Sequence, residues 1–259
     1  MTIQGANRII FGGRDLADFG VYISGNGTYN APERDRKTVT IPGRNGELTI
    51  DNGRYKNIKV KYNAFIIEDF DRNIGALRDY LLSQHNYVVL EDTYHPDEYR
   101  LARFSGGFTV KPLDKLNAGE FTMTFDCKPQ RYLRDGEKTA LAVTVDNDGY
   151  TKIISNPTNQ KAKPIIKVYT SNGTNTIITV NGVSMKVNKP TTNKQVIIDC
   201  EAEDAKLADG ANANSLVVLL DKLFPVLLPG SNEIFMKNGT TGIGDYTSDI
   251  TIIPRWWTL

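Results

Sequence analysis

The chain has 259 residues, 31 Lys and Arg against 30 Asp and Glu, two histidines and two cysteines. At ~100–200 residues per domain the length suits two domains, and a net charge of +1 gives no broad cationic field for holding a nucleic-acid backbone. Two cysteines cannot form a disulfide framework, and Met1-Thr2-Ile3-Gln4-Gly5 lacks the basic segment and apolar run of a secretion signal, so the expectation is synthesis in a reducing cytoplasm.

In chain order, the first elements are strands near Lys37 to Ile41 and Leu48 to Asp51. Between them Asn45-Gly46 is a hairpin signal, because a type I′ turn needs positive φ at both central residues. Pro42 and Gly43 lengthen the connection into a projecting tip. The polar tip residues Arg44, Asn45, Gly46 and Glu47 can be trimmed without exposing apolar surface, and they are the candidate assembly contacts.

Ile58, Val60, Tyr62, Ala64 and Ile66 share one face of a strand while Lys59, Lys61 and Asn63 take the other, the pattern of a half-buried antiparallel strand. Phe70, Ile74, Leu77, Leu81 and Leu82 then recur at near-helical spacing, predicting one helix over about 70–83 with Asp69 in the cap position. Strands follow near Tyr87 to Leu90, Tyr99 to Phe104 and Phe108 to Val110. Phe121, Met123, Phe125 and Cys127 repeat the alternation.

Twelve arginines and 17 aromatic residues precede residue 135, against Arg255 and 7 aromatics after it. The predicted division is a β domain over 1–135 and a second domain over 136–259. Arginine and aromatic rings are enriched in protein interfaces, so the first domain is the more interactive candidate, although solvated arginines would give the same asymmetry. After Asp135-Gly136, short strands at Ala140 to Val145, Ile165 to Tyr169, Thr176 to Val180, Ser184 to Val187 and Val196 to Asp199, punctuated by Asn172-Gly173 and Asn181-Gly182, read as a β-sandwich. Leu216 to Leu220 fits a short helix or a buried strand equally. The longer apolar stretch to Leu228 contains Asp221, Lys222 and Pro225 and falls short of the ~20 residues of a spanning helix, so no membrane partner is expected.

Catalytic chemistry has little material. His85 and His95 are the only histidines, and Asp92, His95, Asp97 and Glu98 form the one cluster with metal-ligand types, set in a Pro-Asp loop that reads more simply as a solvated turn. Thirty acids permit carboxylate pairs, but no local pattern selects one. Cys127 and Cys200 have no neighbouring His or Cys and read as packed small hydrophobes. Gly242-Ile243-Gly244 lacks the strand, helix and third glycine of a phosphate-binding turn. Trp256 and Trp257 alternate faces at the end of a strand whose buried register runs through Ile250, Ile252 and Pro254, one ring entering the core and the other covering an edge. No enzyme, metal or cofactor is expected.

Six phrases carry a family resemblance: Phe11-Gly12-Gly13; Ile41-Pro42-Gly43-Arg44-Asn45-Gly46-Glu47-Leu48; Leu90 to Arg100; Phe125-Asp126-Cys127-Lys128-Pro129-Gln130-Arg131-Tyr132; Pro229-Gly230-Ser231-Asn232-Glu233-Ile234; and Pro254-Arg255-Trp256-Trp257. In this order, over nearly the whole chain, they resemble the distal tail proteins of long-tailed, siphovirus-type bacteriophages. The resemblance implies a mainly β fold, with an amino-terminal domain carrying the helix and hairpin and closing into a homohexameric ring, followed by a galectin-like β-sandwich. Such a ring is a structural virion component at the tail tip, assembled in the host bacterial cytoplasm. It connects the tail tube protein to the tail-associated hub and receptor-binding proteins, and DNA passes its bore unread. Many relatives carry inserted carbohydrate-binding modules, for which 259 residues leave no room. The alternative is a carbohydrate-binding host-recognition protein. Against it, the second domain has no histidine and only Arg255, whereas a galectin sugar site uses His, Asn and Arg around a Trp.

Overall fold

Alternating apolar and polar residues make this chain a mainly β protein, seen here in a computed structural model that describes residues 5–25, 27–113, 117–240 and 244–259. Gly242 and Ile243 of the Gly242-Ile243-Gly244 run lie outside the described residues. The chain divides into two compact units, Met1–Arg131 and Tyr132–Thr258.

In the first unit, β1 (Ile9–Phe11), β2 (Arg14–Asp15) and β3 (Val21–Ser24) precede a two-stranded hairpin of β4 (Arg34–Thr40) and β5 (Glu47–Tyr55). Next come β6 (Ile58–Ile66), the helix α1 (Phe70–Ser83), β7 (Val88–Asp92), β8 (Glu98–Phe104), β9 (Val110–Leu113) and β10 (Ala118–Cys127). Apart from the hairpin, the strands form one antiparallel sheet in the order β2-β1-β7-β8-β10-β6-β3, with β9 also on β10. β6 and β10 pair from Cys127↔Ile58 to Gly119↔Ile66, which puts Val60 opposite Phe125 and both out of solvent. Leu77 and Leu81 of α1 join Phe11, Leu90 and Met123 in the core, and Tyr80 donates its hydroxyl to the Phe11 carbonyl at 2.6 Å.

Two local expectations are corrected. Asp69 does not cap α1 through its side chain, because its backbone is left-handed (φ 49°) rather than in the extended region a cap needs. The Phe70 N–H instead donates to Asn117 Oδ1 at 3.2 Å. The strand expected at Phe108 to Val110 begins only at Val110, since Phe108 turns aside to pack on the Phe104 and Phe121 rings at 5.9 and 5.2 Å.

Past β11 (Arg131–Leu133), the second unit comprises β12 (Leu141–Val145), β13 (Tyr150–Asn156), β14 (Ile165–Thr170), β15 (Asn175–Val180) and β16 (Val183–Asn188). It continues with β17 (Val196–Asp199), β18 (Asp204–Leu207), β19 (Val217–Leu219), β20 (Gly230–Asn238), β21 (Ser248–Ile253) and β22 (Trp257–Thr258). β12 to β21 form two five-stranded sheets, β12-β21-β14-β17-β18 and β13-β20-β15-β16-β19. Ile166, Val168 and Ile252 of one sheet share a core with Ile178, Val187 and Ile234 of the other, so the sheets face each other as a sandwich. One end of that core is polar. Thr170 Oγ1 meets Thr176 Oγ1 at 2.9 Å, Thr176 donates to Ser248 Oγ at 2.7 Å, and Asn238 Nδ2 reaches Ser248 Oγ at 3.0 Å, a buried hydroxyl seam across both sheets.

The stretch from Leu216 to Leu220 is neither helix nor buried strand. A turn over Asn214–Leu216 leads into the edge strand β19, in which Val218 is 38% exposed, and Leu220 just beyond it is 53% exposed. The final strand also stops earlier than its register implies. β21 ends at Ile253, and Arg255 takes a left-handed φ of 55°, its N–H donating to the Gly136 carbonyl. Inward parity nevertheless continues through Pro254 to Trp256, which is buried, while Trp257 is half-buried and donates Nε1–H to the Lys161 carbonyl at 2.9 Å.

Candidate assembly surface

The hairpin of β4 and β5 stands as a sheet of its own. Its register runs from Thr40↔Glu47 through Val39↔Leu48 to Lys37↔Ile50 and Arg36↔Asp51, with an irregularity before Arg34↔Tyr55. The strands are longer than the sequence reading, which began at Lys37 and ended at Asp51. Arg44, Asn45, Gly46 and Glu47 are all exposed at the tip, Glu47 opening β5.

The turn differs from the expected type I′ turn. Positive φ occurs at Gly43 (79°) and Gly46 (83°) and not at Asn45, and the Arg44 N–H donates to the Ile41 carbonyl at 3.1 Å. Pro42 and Gly43 thus occupy the central positions of a type II turn, for which proline presets the first φ and glycine supplies the second.

Opposite faces of this ribbon have opposite chemistry. Cross-strand partners share a face, so Val39 lies beside Leu48 and Lys37 beside Ile50, with Ile41 following on the same parity just past β4. Ile41, Leu48 and Ile50 are 36%, 43% and 46% exposed. The other face carries charge: Arg34 Nε donates to both Asp51 oxygens, at 3.0 and 2.9 Å, and Arg36 approaches the same carboxylate at 3.7 Å. The Arg34 guanidinium also lies 4.8 Å from the Tyr55 ring centre. Hydrogen bonds from Arg34 and then from the Gly53 N–H hold the Asp51 carboxyl below its ordinary value, while the Asp51 bond pushes Arg34 up. Arg54 does the same for Asp35, which it meets at 2.8 Å. The apolar stripe is visible in the sequence as Val39, Ile41, Leu48 and Ile50, but a sequence does not announce that such a stripe stays partly exposed.

The cluster of metal-ligand types is engaged with protein donors. Asp92 accepts from the His95 N–H at 2.9 Å and from the Tyr62 hydroxyl at 2.7 Å, and Glu98 pairs with Arg131 at 3.1 Å. His95 Nε2 accepts from the Thr28 N–H at 3.4 Å, and Asp97 and His85 are exposed. Cys127 and Cys200 are buried free thiols, each pushed up to about 12 by burial. Among the described residues, no group of three His, Cys, Asp or Glu is arranged to hold a metal ion, and no helix is long and apolar enough to cross a membrane.

No family model matches the sequence, nor does any curated protein. Solved structures do match. The chain is similar to the Dit protein of phage SPP1, described as a paradigm of the hub adsorption apparatus in phages infecting Gram-positive bacteria, with a TM-score of 0.70 and 15% identity over 98% of this chain and 99% of that one. It is also similar to a chain of the phage P2 baseplate in its activated conformation with Ca, with a TM-score of 0.53 and 11% identity over 95% and 97% of the two chains. The chain therefore has a Dit-like β fold along nearly its whole length.

Proposed function

We propose that the chain is a structural subunit of a phage tail baseplate, closing through its first unit into a ring, hexameric by resemblance, between the tail tube and the hub and host-binding proteins. The observation that carries this reading is the free hairpin, set within a fold shared with a hub adsorption protein from end to end. An isolated two-stranded hairpin is marginal in water, and its apolar side chains, already more than half covered, gain roughly 0.5–1.5 kcal/mol each when a neighbour covers the rest. Arg44, Asn45, Gly46 and Glu47 then serve as the polar rim of that contact. The second unit serves as the galectin-like module, without a working sugar site. Its Arg255 is committed within the fold, donating to Asp199 at 2.7 Å and to Glu201, and so is held away from any sugar. The protein works in the virion, as a scaffold rather than a catalyst.

Electron microscopy of the purified chain at high concentration, alone and with a tail-tube protein, tests the reading. A ring with a central opening is expected, with a mass near six times the 28.8 kDa chain. A monomer under both conditions that binds a glycan array would replace it with the host-recognition alternative.

A further inference from the structure

Arg100 occupies a buried register position of β8 together with Ala102, directly opposite Leu90 of β7. It is 6% exposed, and neither Nη1 nor Nη2 reaches an acceptor among the described residues. A buried charge without a partner is among the costliest features a fold can carry. Beside it lies a cavity of about 10 Å³, lined by Thr28, Asp92, His95, Glu98 and Arg131 among others. That volume matches one monatomic or water-sized occupant better than a phosphate or carboxylate.

The remaining groups around this space decide the chemistry of the occupant. Arg131 is 8% exposed and already committed, with Nη1 on Glu98 and Nη2 on the Thr28 carbonyl. Both Asp92 oxygens are taken by His95 N–H and Tyr62 O–H. What remains without an acceptor among the described residues is the Arg100 fork, and the buried Thr28 hydroxyl, which lies beside the Tyr62 hydroxyl, can donate as well. Burial and then the repulsion of Arg131 lower the Arg100 pKa, and that repulsion outweighs the attraction of Glu98. Tyr62 and Cys127 bring no compensating charge, since burial drives the first well above its ordinary value and the second up to about 12.

We propose that this cavity binds a single halide-sized anion, such as chloride, held by Nη1 and Nη2 of Arg100 and the hydroxyl of Thr28. The anion supplies the acceptor that the Arg100 fork lacks, in a space whose two guanidiniums, Arg100 and Arg131, face the two carboxylates of Asp92 and Glu98. It also ties the sheet to the Thr28 segment, which leads directly into β4, so occupancy stiffens the root of the hairpin.

Thermal melts of the full chain in sodium chloride and in sodium gluconate at matched ionic strength test the proposal, since gluconate is too large to enter. Relative to gluconate, the melting temperature rises by a constant increment per tenfold increase in chloride above the dissociation constant, and Arg100→Met removes that dependence. An equal response to the two salts, or a chloride dependence that survives Arg100→Met, overturns the site. If the variant does not fold, crystals of the native chain soaked in bromide still decide. An anomalous peak between Arg100 and Thr28 supports the site, and an ordered water without anomalous signal refutes it.

Discussion

The Phe70 ring sits so close to Gly119 that a Cβ on Gly119 would stand 2.2 Å from Phe70 Cε2. Gly119 is there for space and not for backbone freedom, as its φ is not positive. Together with the Phe70 N–H bond to Asn117, this contact seats the first turn of α1 on the start of β10.

Gly119→Ala is therefore expected to destabilise the first unit by about 1–3 kcal/mol, the cost of overpacking a filled core. Adding Phe70→Leu should recover part of the loss, and a double-mutant cycle from urea unfolding reads the coupling. Strict additivity of the two changes would show that the helix start simply shifts away.

The hairpin separates folding from assembly. Leu48→Thr with Ile50→Thr, or deletion of the tip from Pro42 to Gly46, should leave the unfolding free energy within ~0.5 kcal/mol of the parent, as exposed substitutions do, while ring formation falls. If Arg44 or Glu47 forms a desolvated pair across the interface, its alanine variant costs ~2–5 kcal/mol of association. Light scattering reads the assembly and calorimetry the fold. Collapse of the fold would mark the ribbon as a core element.

Trp256 and Trp257 should differ. Trp256→Ala empties a buried site and is expected to cost about 3–5 kcal/mol, whereas Trp257→Ala removes a half-buried ring and one hydrogen bond to Lys161, a bond worth ~1 kcal/mol. Equal, small losses in denaturant unfolding would refute the packing role.

Asp199 supplies a pH test. Burial raises its pKa, but the Ala202 N–H, Arg255 and the Glu201 N–H together overcome this and leave it below the ordinary 3.8. A carboxyl depressed in the folded state contributes stability that is present above its unfolded value and lost as pH falls through the folded one. The stability gap between the parent and Asp199→Asn, wide at about pH 6, should close as pH drops below 3.8. A gap that stays constant into acid would show that the Arg255 clamp carries no charge linkage.

Both thiols should resist alkylation in the folded protein and react after unfolding, because burial keeps them protonated up to about 12. Mass spectrometry after iodoacetamide treatment distinguishes the two states. Rapid labelling of native Cys127 would indicate that the first sheet opens.

Alternation made β6, β10 and much of the second unit legible, since each has one apolar face pressed on a core. The asparagine-glycine pairs show where such reading stops. Asn181-Gly182 makes the tight turn, with φ of 48° and 83° joining the Val180↔Val183 pair. Asn45-Gly46 does not, because Pro42-Gly43 takes the turn first. β20 was missed because its inward positions include Asn232 and Asn238, polar residues buried by local bonds such as Asn232 Nδ2 to the Leu228 and Gly230 carbonyls at 2.9 Å. Arg100 escaped for the same reason, being a charge where the pattern calls for an aliphatic residue. The tip residues were named from their polarity, but the bare apolar stripe behind them required the fold.

The hydroxyl seam of Thr170, Thr176, Ser248 and Asn238 bears on strand exchange. Replacing β21 with an outside strand must bring a hydroxyl to the Ser248 position or break the buried bonds that Thr176 and Asn238 make there. A slip of one residue toward the carboxyl end of β21 would bring Asp249 to that position, a carboxylate in place of a hydroxyl. The sandwich is thus keyed against mispairing from within, and foreign strands are left only its outer margins, β12, β13, β18 and β19.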